Sequence, residues 1–204
     1  MMTRRGHWDE RYASDEYHYG TEPNAFLVAE ADRIPAGGRV LAVADGEGRN
    51  GVYLAGRGFR VHSVEASPVA IAKAKRLAAA RGVALEIERV DIFTWDWPVA
   101  AYDAVVAIFV QFVDAEDRPA FFRKMAQALK PGGVLIMEGY GPGQLAYGTG
   151  GPRHEPQLYS VGLLRDAFAD MQIEVLRGYD AVIEEGPAHS GMSALIDLVA
   201  VRRP

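Results

Sequence analysis

Val40-Leu-Ala-Val-Ala-Asp-Gly-Glu-Gly-Arg49 decides how this chain reads. Val40–Ala44 is a short apolar run of the kind that forms a buried strand. Asp45-Gly-Glu-Gly48 is a turn, and Arg49–Gly56 resumes helical spacing. A strand that passes through a Gly-rich turn into a helix lets a ligand approach the backbone closely. Nineteen residues after Gly46, at the end of the next apolar run, stands Glu65. A carboxylate there can accept hydrogen bonds from both hydroxyls of an adenosine ribose. Glycines often serve a turn alone, and a strand-end Glu is often solvated. Together, in this order, the two favour a nucleoside site.

Outward from that stretch, apolar runs alternate with helical ones. The runs are Val40–Ala44, Phe59–Val64, Ala84–Val90, Tyr102–Phe109 and Val134–Glu138. Between them lie Arg49–Gly56, Pro68–Arg81 and Asp117–Leu129. In Pro68–Arg81 the pattern directs Val69, Ala72, Ala74 and Leu77 to a sheet and leaves Lys73, Lys75 and Arg76 wet. This alternation predicts an α/β fold, doubly wound and Rossmann-like, with helices on both faces of a mostly parallel sheet. Asn24 is placed to cap a helix through Phe26 and Leu27 that Pro35-Ala-Gly-Gly38 stops. After Gly139 comes a Gly/Pro-rich loop, then a helix over Val161–Phe168. Two apolar segments, Gln172–Leu176 and Ser193–Val201, read as a closing antiparallel β-hairpin around a turn at Glu184–Ser190.

The 204 residues suit one domain, 1–204, with residues 1–23 as an aromatic-rich N-terminal arm containing one helical turn and 139–160 as the glycine loop. A net charge of −5 argues against a nucleic-acid partner, which needs a concentrated basic surface. No apolar run is long enough to span a membrane, and no apolar stretch follows Arg4 and Arg5 as in a secretory leader. The absence of cysteine excludes disulfides and thiolate zinc sites and fits a cytoplasmic location. No metal site is expected, because His154 and His189 have no ligand-like spacing.

Asp91 ends the third apolar run. Its carboxylate can accept a hydrogen bond from an adenine amino group while Ile92 packs on the ring, or it can simply cap a turn. Lys130-Pro-Gly-Gly133 is the stop and reversal between a helix and the fifth strand.

Taken in order, Ala44-Asp-Gly-Glu-Gly48, Glu65, Asp91 and Leu129-Lys-Pro-Gly-Gly133 resemble the successive motifs of class I S-adenosylmethionine-dependent methyltransferases. Trp8-Asp-Glu-Arg-Tyr12, Tyr19-Gly-Thr-Glu-Pro-Asn24, Glu138-Gly-Tyr140, Leu145–Pro152 and Glu185–Gly191 resemble, more narrowly, a group of small bacterial enzymes related to tellurite-resistance and thiopurine-type methyltransferases. The resemblance implies a seven-stranded sheet with its last hairpin strand antiparallel. It implies S-adenosyl-L-methionine as cofactor, leaving S-adenosyl-L-homocysteine as product. The implied cofactor contacts are Ala44, Asp45, Gly46, Gly48, Glu65, Ala66, Asp91, Ile92 and Phe109, with Trp8, Tyr12 and Tyr19 folding over as a lid. The family's first motif is usually Asp-x-Gly-x-Gly-x-Gly. Here Ala42 replaces its acidic residue and Ala44 its first glycine, and cofactor binding is expected to survive both changes.

The implied reaction is in-line methyl transfer to a small-molecule acceptor. Tyr140, His154 and His189 are the candidate catalytic residues on the acceptor side, His189 foremost as base or orienter. Phe109, Gln111 and Phe112, after the fourth strand, are expected to border the cofactor's methionine and the acceptor. The chain lacks an Asn-Pro-Pro-Tyr-type motif, which argues for a small acceptor. Two rival readings are an NAD(P)-dependent oxidoreductase, since Gly46-Glu-Gly-Arg-Asn-Gly51 satisfies the dinucleotide pattern, and a non-catalytic cofactor-binding protein. The acceptor's identity and the oligomeric state are not encoded in any motif.

Overall fold

The computed structural model of the protein describes residues 4–204, with side chains from Trp8 onward; the first three residues of the expected arm lie outside it. The arm contains α1 (Arg4–Arg11), eight residues long where a single turn was expected. Asn24 caps α2 (Ala25–Glu30), its side-chain oxygen accepting from the Leu27 N–H at 2.9 Å. Phe26 and Leu27 bury the inner face of that helix, and a 3₁₀ turn over Ala31–Arg33 ends it before Pro35.

Seven strands form one sheet: β1 (Arg39–Val43), β2 (Arg60–Glu65), β3 (Glu86–Arg89), β4 (Tyr102–Ile108), β5 (Leu129–Tyr140), β6 (Gln172–Glu184) and β7 (Ser190–Val201). Their order is β3-β2-β1-β4-β5-β7-β6. β1 to β5 pair in parallel, and β7 runs antiparallel to both β5 and β6. The helices α3 (Arg49–Gly56), α4 (Pro68–Ala80), α5 (Arg118–Ala128), α6 (Gln144–Tyr147) and α7 (Val161–Ala167) complete the fold.

The strand pleat explains why β1 and β4 are apolar throughout. Leu41, Val43, Val105 and Ala107 join one core, while Val40, Ala42, Ala104 and Val106 join the core on the opposite face. β1 lies between β2 and β4, and the chain winds outward from it in both directions. That reversal of strand order opens a crevice at the carboxyl end of β1.

Four local expectations are corrected. β3 is shorter than its apolar run and mostly exposed, an edge strand kept from further pairing by Glu86, Glu88 and Arg89. On α4 the buried face is Ala70, Ile71, Lys73, Ala74, Leu77 and Ala78, whereas Ala72 is exposed. Lys73 is not wet: its ammonium lies 2.7 Å from Glu47, which makes burial of its stem and charge tolerable. Lys130-Pro-Gly-Gly133 lies inside β5, where pairing with β4 shifts register and the Gly132 N–H donates to the Arg202 carbonyl. The hairpin is longer than its apolar segments suggested, paired out to Glu184 and Ser190. Its outer residues alternate in exposure, so they carry no continuous apolar signal. Among the described residues no helix is long and apolar enough to cross a membrane.

Candidate functional site

At the carboxyl ends of β1, β2 and β4 lies a cavity of about 150 Å³ that opens to solvent. Its floor is the glycine turn. Ala44, Gly46 and Gly48 all have positive φ, at 49°, 59° and 88°. Gly48 is obligatory: a Cβ there would come within 2.6 Å of the Ala74 Cβ, so its lack of a side chain lets α3 and α4 approach. Ala44 adopts the left-handed conformation without being glycine, which stores strain in the floor of the site.

Asp45 turns its carboxylate beneath the turn. It accepts from the Ser63 hydroxyl at 2.9 Å and from the Gly51 N–H at 3.1 Å. Burial raises its pKa to about 7, against the lowering effect of those two hydrogen bonds. Glu65 is buried at the end of β2. Its carboxylate accepts from the Gly46 N–H at 3.0 Å, the Ala66 N–H at 2.8 Å and the Ser67 N–H at 2.9 Å. Burial pushes its pKa up while those three N–H groups pull it down. The carboxylate is thus fixed in orientation at the cavity wall, with about one of its four acceptor positions still free. Asp91 also lines the cavity, but its side chain accepts from the Phe93 N–H at 3.0 Å, the turn-capping alternative; Ile92 packs beside it.

The arm forms the opposite wall. Trp8 stacks on Tyr12 at 5.9 Å and meets Phe112 edge-on at 5.5 Å. The Tyr12 hydroxyl rests so close to Gly46 that a Cβ there would lie 3.0 Å from it. Two devices hold the arm down, neither visible as a sequence motif. Glu47, in the turn itself, accepts the His18 and Tyr19 N–H groups, both at 3.1 Å. Its buried partner Lys73 also donates to the Glu16 carbonyl at 2.7 Å. Farther along, Glu185 ion-pairs with Arg49 at 2.8 Å and accepts from the Asn24 amide and the Ala25 N–H, both at 3.0 Å. Arg49 and Asn50 line the cavity, and their place immediately after Gly48 was the one signal that could have flagged them.

Of the acceptor-side candidates, His189 lines the cavity and is buried, with Tyr19 at 4.5 Å and Phe109 at 4.3 Å between ring centres. Burial, and then the charge of Arg49, lower its pKa to about 3, so the ring is neutral near physiological pH. Tyr140 is fully buried and does not line the cavity, because the Phe109 ring stacks on it at 4.6 Å. His154 is corrected outright: it is exposed on the glycine loop ahead of a 3₁₀ turn and contributes nothing to the cavity. Gln111 is corrected too. Phe109 and Phe112 border the cavity, but the Gln111 amide pins the Tyr140 backbone, donating to its carbonyl at 2.9 Å and accepting from its N–H at 2.5 Å. Among the described residues no cluster of three or more His, Asp or Glu side chains is arranged to hold a metal.

With this geometry in place, comparison with known proteins is informative. Residues 40–133 match the methyltransferase domain family. Ribosomal RNA small subunit methyltransferase C of Chromohalobacter salexigens is 36% identical over 122 residues, 58% of this chain and 36% of the relative. Glycine/sarcosine N-methyltransferase of Halorhodospira halochloris is 30% identical over 138 residues, 64% of this chain and 47% of the relative. The chain therefore spans less than half the length of either. Among solved structures, one describing conversion of a disulfide bond into a thioacetal group during echinomycin biosynthesis superimposes with a TM-score of 0.80 at 21% identity, over 98% of this chain and 93% of that one. TehB from Haemophilus influenzae gives 0.72 at 16% identity, over 98% and 67%. The glycine turn, Glu65 and Asp91 all fall inside the segment that matches the methyltransferase domain family, and the chain shares its fold with TehB.

Proposed function

We propose that this protein transfers the methyl group of S-adenosylmethionine to a small-molecule acceptor. The observation that carries the reading is the cavity itself: a nucleoside-type wall of Gly46, Glu65, Asp91 and Ile92 meets an aromatic wall of Trp8, Tyr12, Tyr19 and Phe112. A roofed, aromatic site on a chain of net charge −5 supports a small acceptor over a nucleic acid.

The residues present fit this cofactor. Glu65 has its remaining acceptor position for a ribose hydroxyl, and Ile92 and Ala66 offer apolar surface to a base. When bound, S-adenosylmethionine supplies a sulfonium methyl that bonds to an acceptor lone pair while the sulfur–carbon electron pair returns to sulfur. The protein's task is to align, exclude water and tolerate charge. Trp8, Tyr12 and Tyr19 form the lid and offer ring faces to a cation. His189, with its low pKa, orients an acceptor better than it removes a proton.

The test is thermal unfolding with S-adenosylmethionine, S-adenosylhomocysteine, NAD and NADP. Ligand at 100 times its dissociation constant stabilises by about 2.7 kcal/mol, which raises the midpoint by roughly 5–10 °C at this size. A rise with the first pair alone supports the reading, and a rise confined to the dinucleotides overturns it. Glu65→Ala should weaken the cofactor by more than about tenfold, the effect of losing a charged hydrogen-bond acceptor; unchanged affinity would remove Glu65 from the site.

A further inference from the structure

We propose that Glu138 and Asp197 form a proton-held latch on the cavity roof, clasped while the pair shares one proton and loosened when that proton leaves for solvent as pH rises. The two residues stand directly opposite each other in the β5–β7 register, 2% and 0% exposed. Their carboxyls hydrogen-bond to one another, and only a protonated carboxyl can donate. Two buried carboxylates in contact cannot both ionise cheaply, so the pair titrates as a unit and keeps one proton where an exposed pair has none.

The surrounding charges balance with that proton in place. On β6, the Arg177 guanidinium donates to Asp197 at 2.8 Å and the Tyr179 hydroxyl at 3.4 Å. On its other side Glu138 accepts from the Asn24 amide at 2.7 Å, and its neighbour across β4 is the apolar Ile108. Glu185 shares the same amide at 3.0 Å and has Arg49 as its cation. Tyr140 and Tyr179 stay protonated, raised by burial and then by these carboxylates. Glu138, Asp197 and Glu185 thus face two guanidiniums, Arg177 and Arg49, and one proton neutralises the third carboxyl.

Asn24 makes the pair a latch. Its two amide hydrogens are divided between Glu138 and Glu185, its side-chain oxygen caps α2, and its own N–H is held by the Asn50 side chain at 3.0 Å. Glu185 sits in the turn that presses on the arm. A Cβ at Gly186 would lie 2.4 Å from the Gly20 nitrogen, and the Ala188 N–H donates to the His18 carbonyl at 3.2 Å. A charge on Glu138 competes with Glu185 for one amide and repels it. Glu185 then releases the Ala25 N–H and Arg49, and the turn lifts from Gly20. Burial, and then the charges of Asp197 and Glu185, raise the Glu138 carboxyl. The folded pair therefore keeps a proton that the unfolded chain loses near about pH 4, and its contribution to stability falls as pH rises from there to the point of release.

The experiment compares the parent with Glu138→Gln, which can make both hydrogen bonds without a titrating group. The melting midpoint of the variant relative to the parent should climb by at least about 3 °C between pH 6 and pH 8, the linkage expected of one proton held by the folded state alone. The ratio of parent to variant chymotryptic cleavage after Tyr17 and Tyr19 should rise by about tenfold between pH 7 and pH 10, one pH unit of the same linkage. Asp197→Asn removes the other half of the pair and should reproduce both trends, should Glu138→Gln fail to fold. A midpoint difference that does not move with pH would overturn the shared proton, and with it the proposal. A cleavage ratio level to pH 10 would overturn the latch. Neither result touches the methyl-donor reading, because both measurements are made without cofactor.

Discussion

Ala44 sits at φ 49° on the cavity floor, where the family's pattern has glycine. An L-residue there carries about 1–2 kcal/mol of strain, partly offset because alanine loses less backbone entropy on folding than glycine. Ala44→Gly should therefore raise stability by up to about 1 kcal/mol, a midpoint rise of roughly 2–4 °C, and should tighten S-adenosylmethionine binding in the same titration. Asp45 offers a pH test. Its folded pKa of about 7 lies above its unfolded value, so the folded state keeps a proton that the unfolded chain loses between about pH 4 and pH 7. Its contribution to stability falls as pH rises through that window. His189 opposes it: its folded pKa is depressed, so its contribution rises with pH between about 3 and 6.5. The two are separated by Asp45→Asn, whose melting temperature relative to the parent should be higher at pH 8 than at pH 5. Gly46, Gly48 and Glu65 were legible because their spacing is local and repeats a backbone requirement. His154 was misplaced because a histidine in a glycine-rich loop gives no sign of which way the loop folds.

At the scale of elements, strand and helix positions followed from apolar runs wherever an element is buried on both sides, as β1 and β4 are. They failed at the edges, at β3 and the outer hairpin, where exposure breaks the run. Lys73 shows a second limit. Helical periodicity assigned it to solvent, and only the arrival of Glu47 from a turn 26 residues earlier makes its burial tolerable. This pair joins the arm, the glycine turn and α4. Removing one partner from a buried ion pair costs about 3–5 kcal/mol, while replacing both with apolar residues of similar volume is far milder. Lys73→Met should therefore destabilise strongly, and Glu47→Leu combined with Lys73→Met should recover part of that loss in a thermal double-mutant cycle. Both variants should cleave faster in limited proteolysis between residues 12 and 20, because the His18 and Tyr19 N–H groups lose their acceptor or its support.

For the molecule as a whole, the cavity is assembled from both ends of the chain around a middle that matches the family. Glu185, in the last turn, reaches Asn24 and Arg49, 161 and 136 residues away. Contacts of that separation leave no pattern in a single sequence, which is why the roof of the site was legible as a cluster of aromatics but its fastening was not. The same network continues into the sheet, where the Asn24 amide donates to Glu138 at 2.7 Å. Burial, and then the charges of Asp197 and Glu185, hold the Glu138 carboxyl well above the usual range. Glu185→Ala strands a buried guanidinium and should lower the melting midpoint by roughly 6–20 °C, from about 3–5 kcal/mol at this chain length. Glu185→Gln, which can still accept from the Ala25 N–H, should fall between that variant and the parent in the same melt.

The anchorage of the arm at Glu47 also sets a clock. Under the proposed function, a molecule enclosed beneath Trp8, Tyr12 and Tyr19 escapes when that segment lifts, and lifting breaks two main-chain hydrogen bonds to Glu47 and the Lys73 hydrogen bond to the Glu16 carbonyl. Departure is then a local unfolding event, steeply dependent on temperature. Under the proposed function, turnover would then be paced by how often that segment lifts, however quickly bonds are made and broken underneath it.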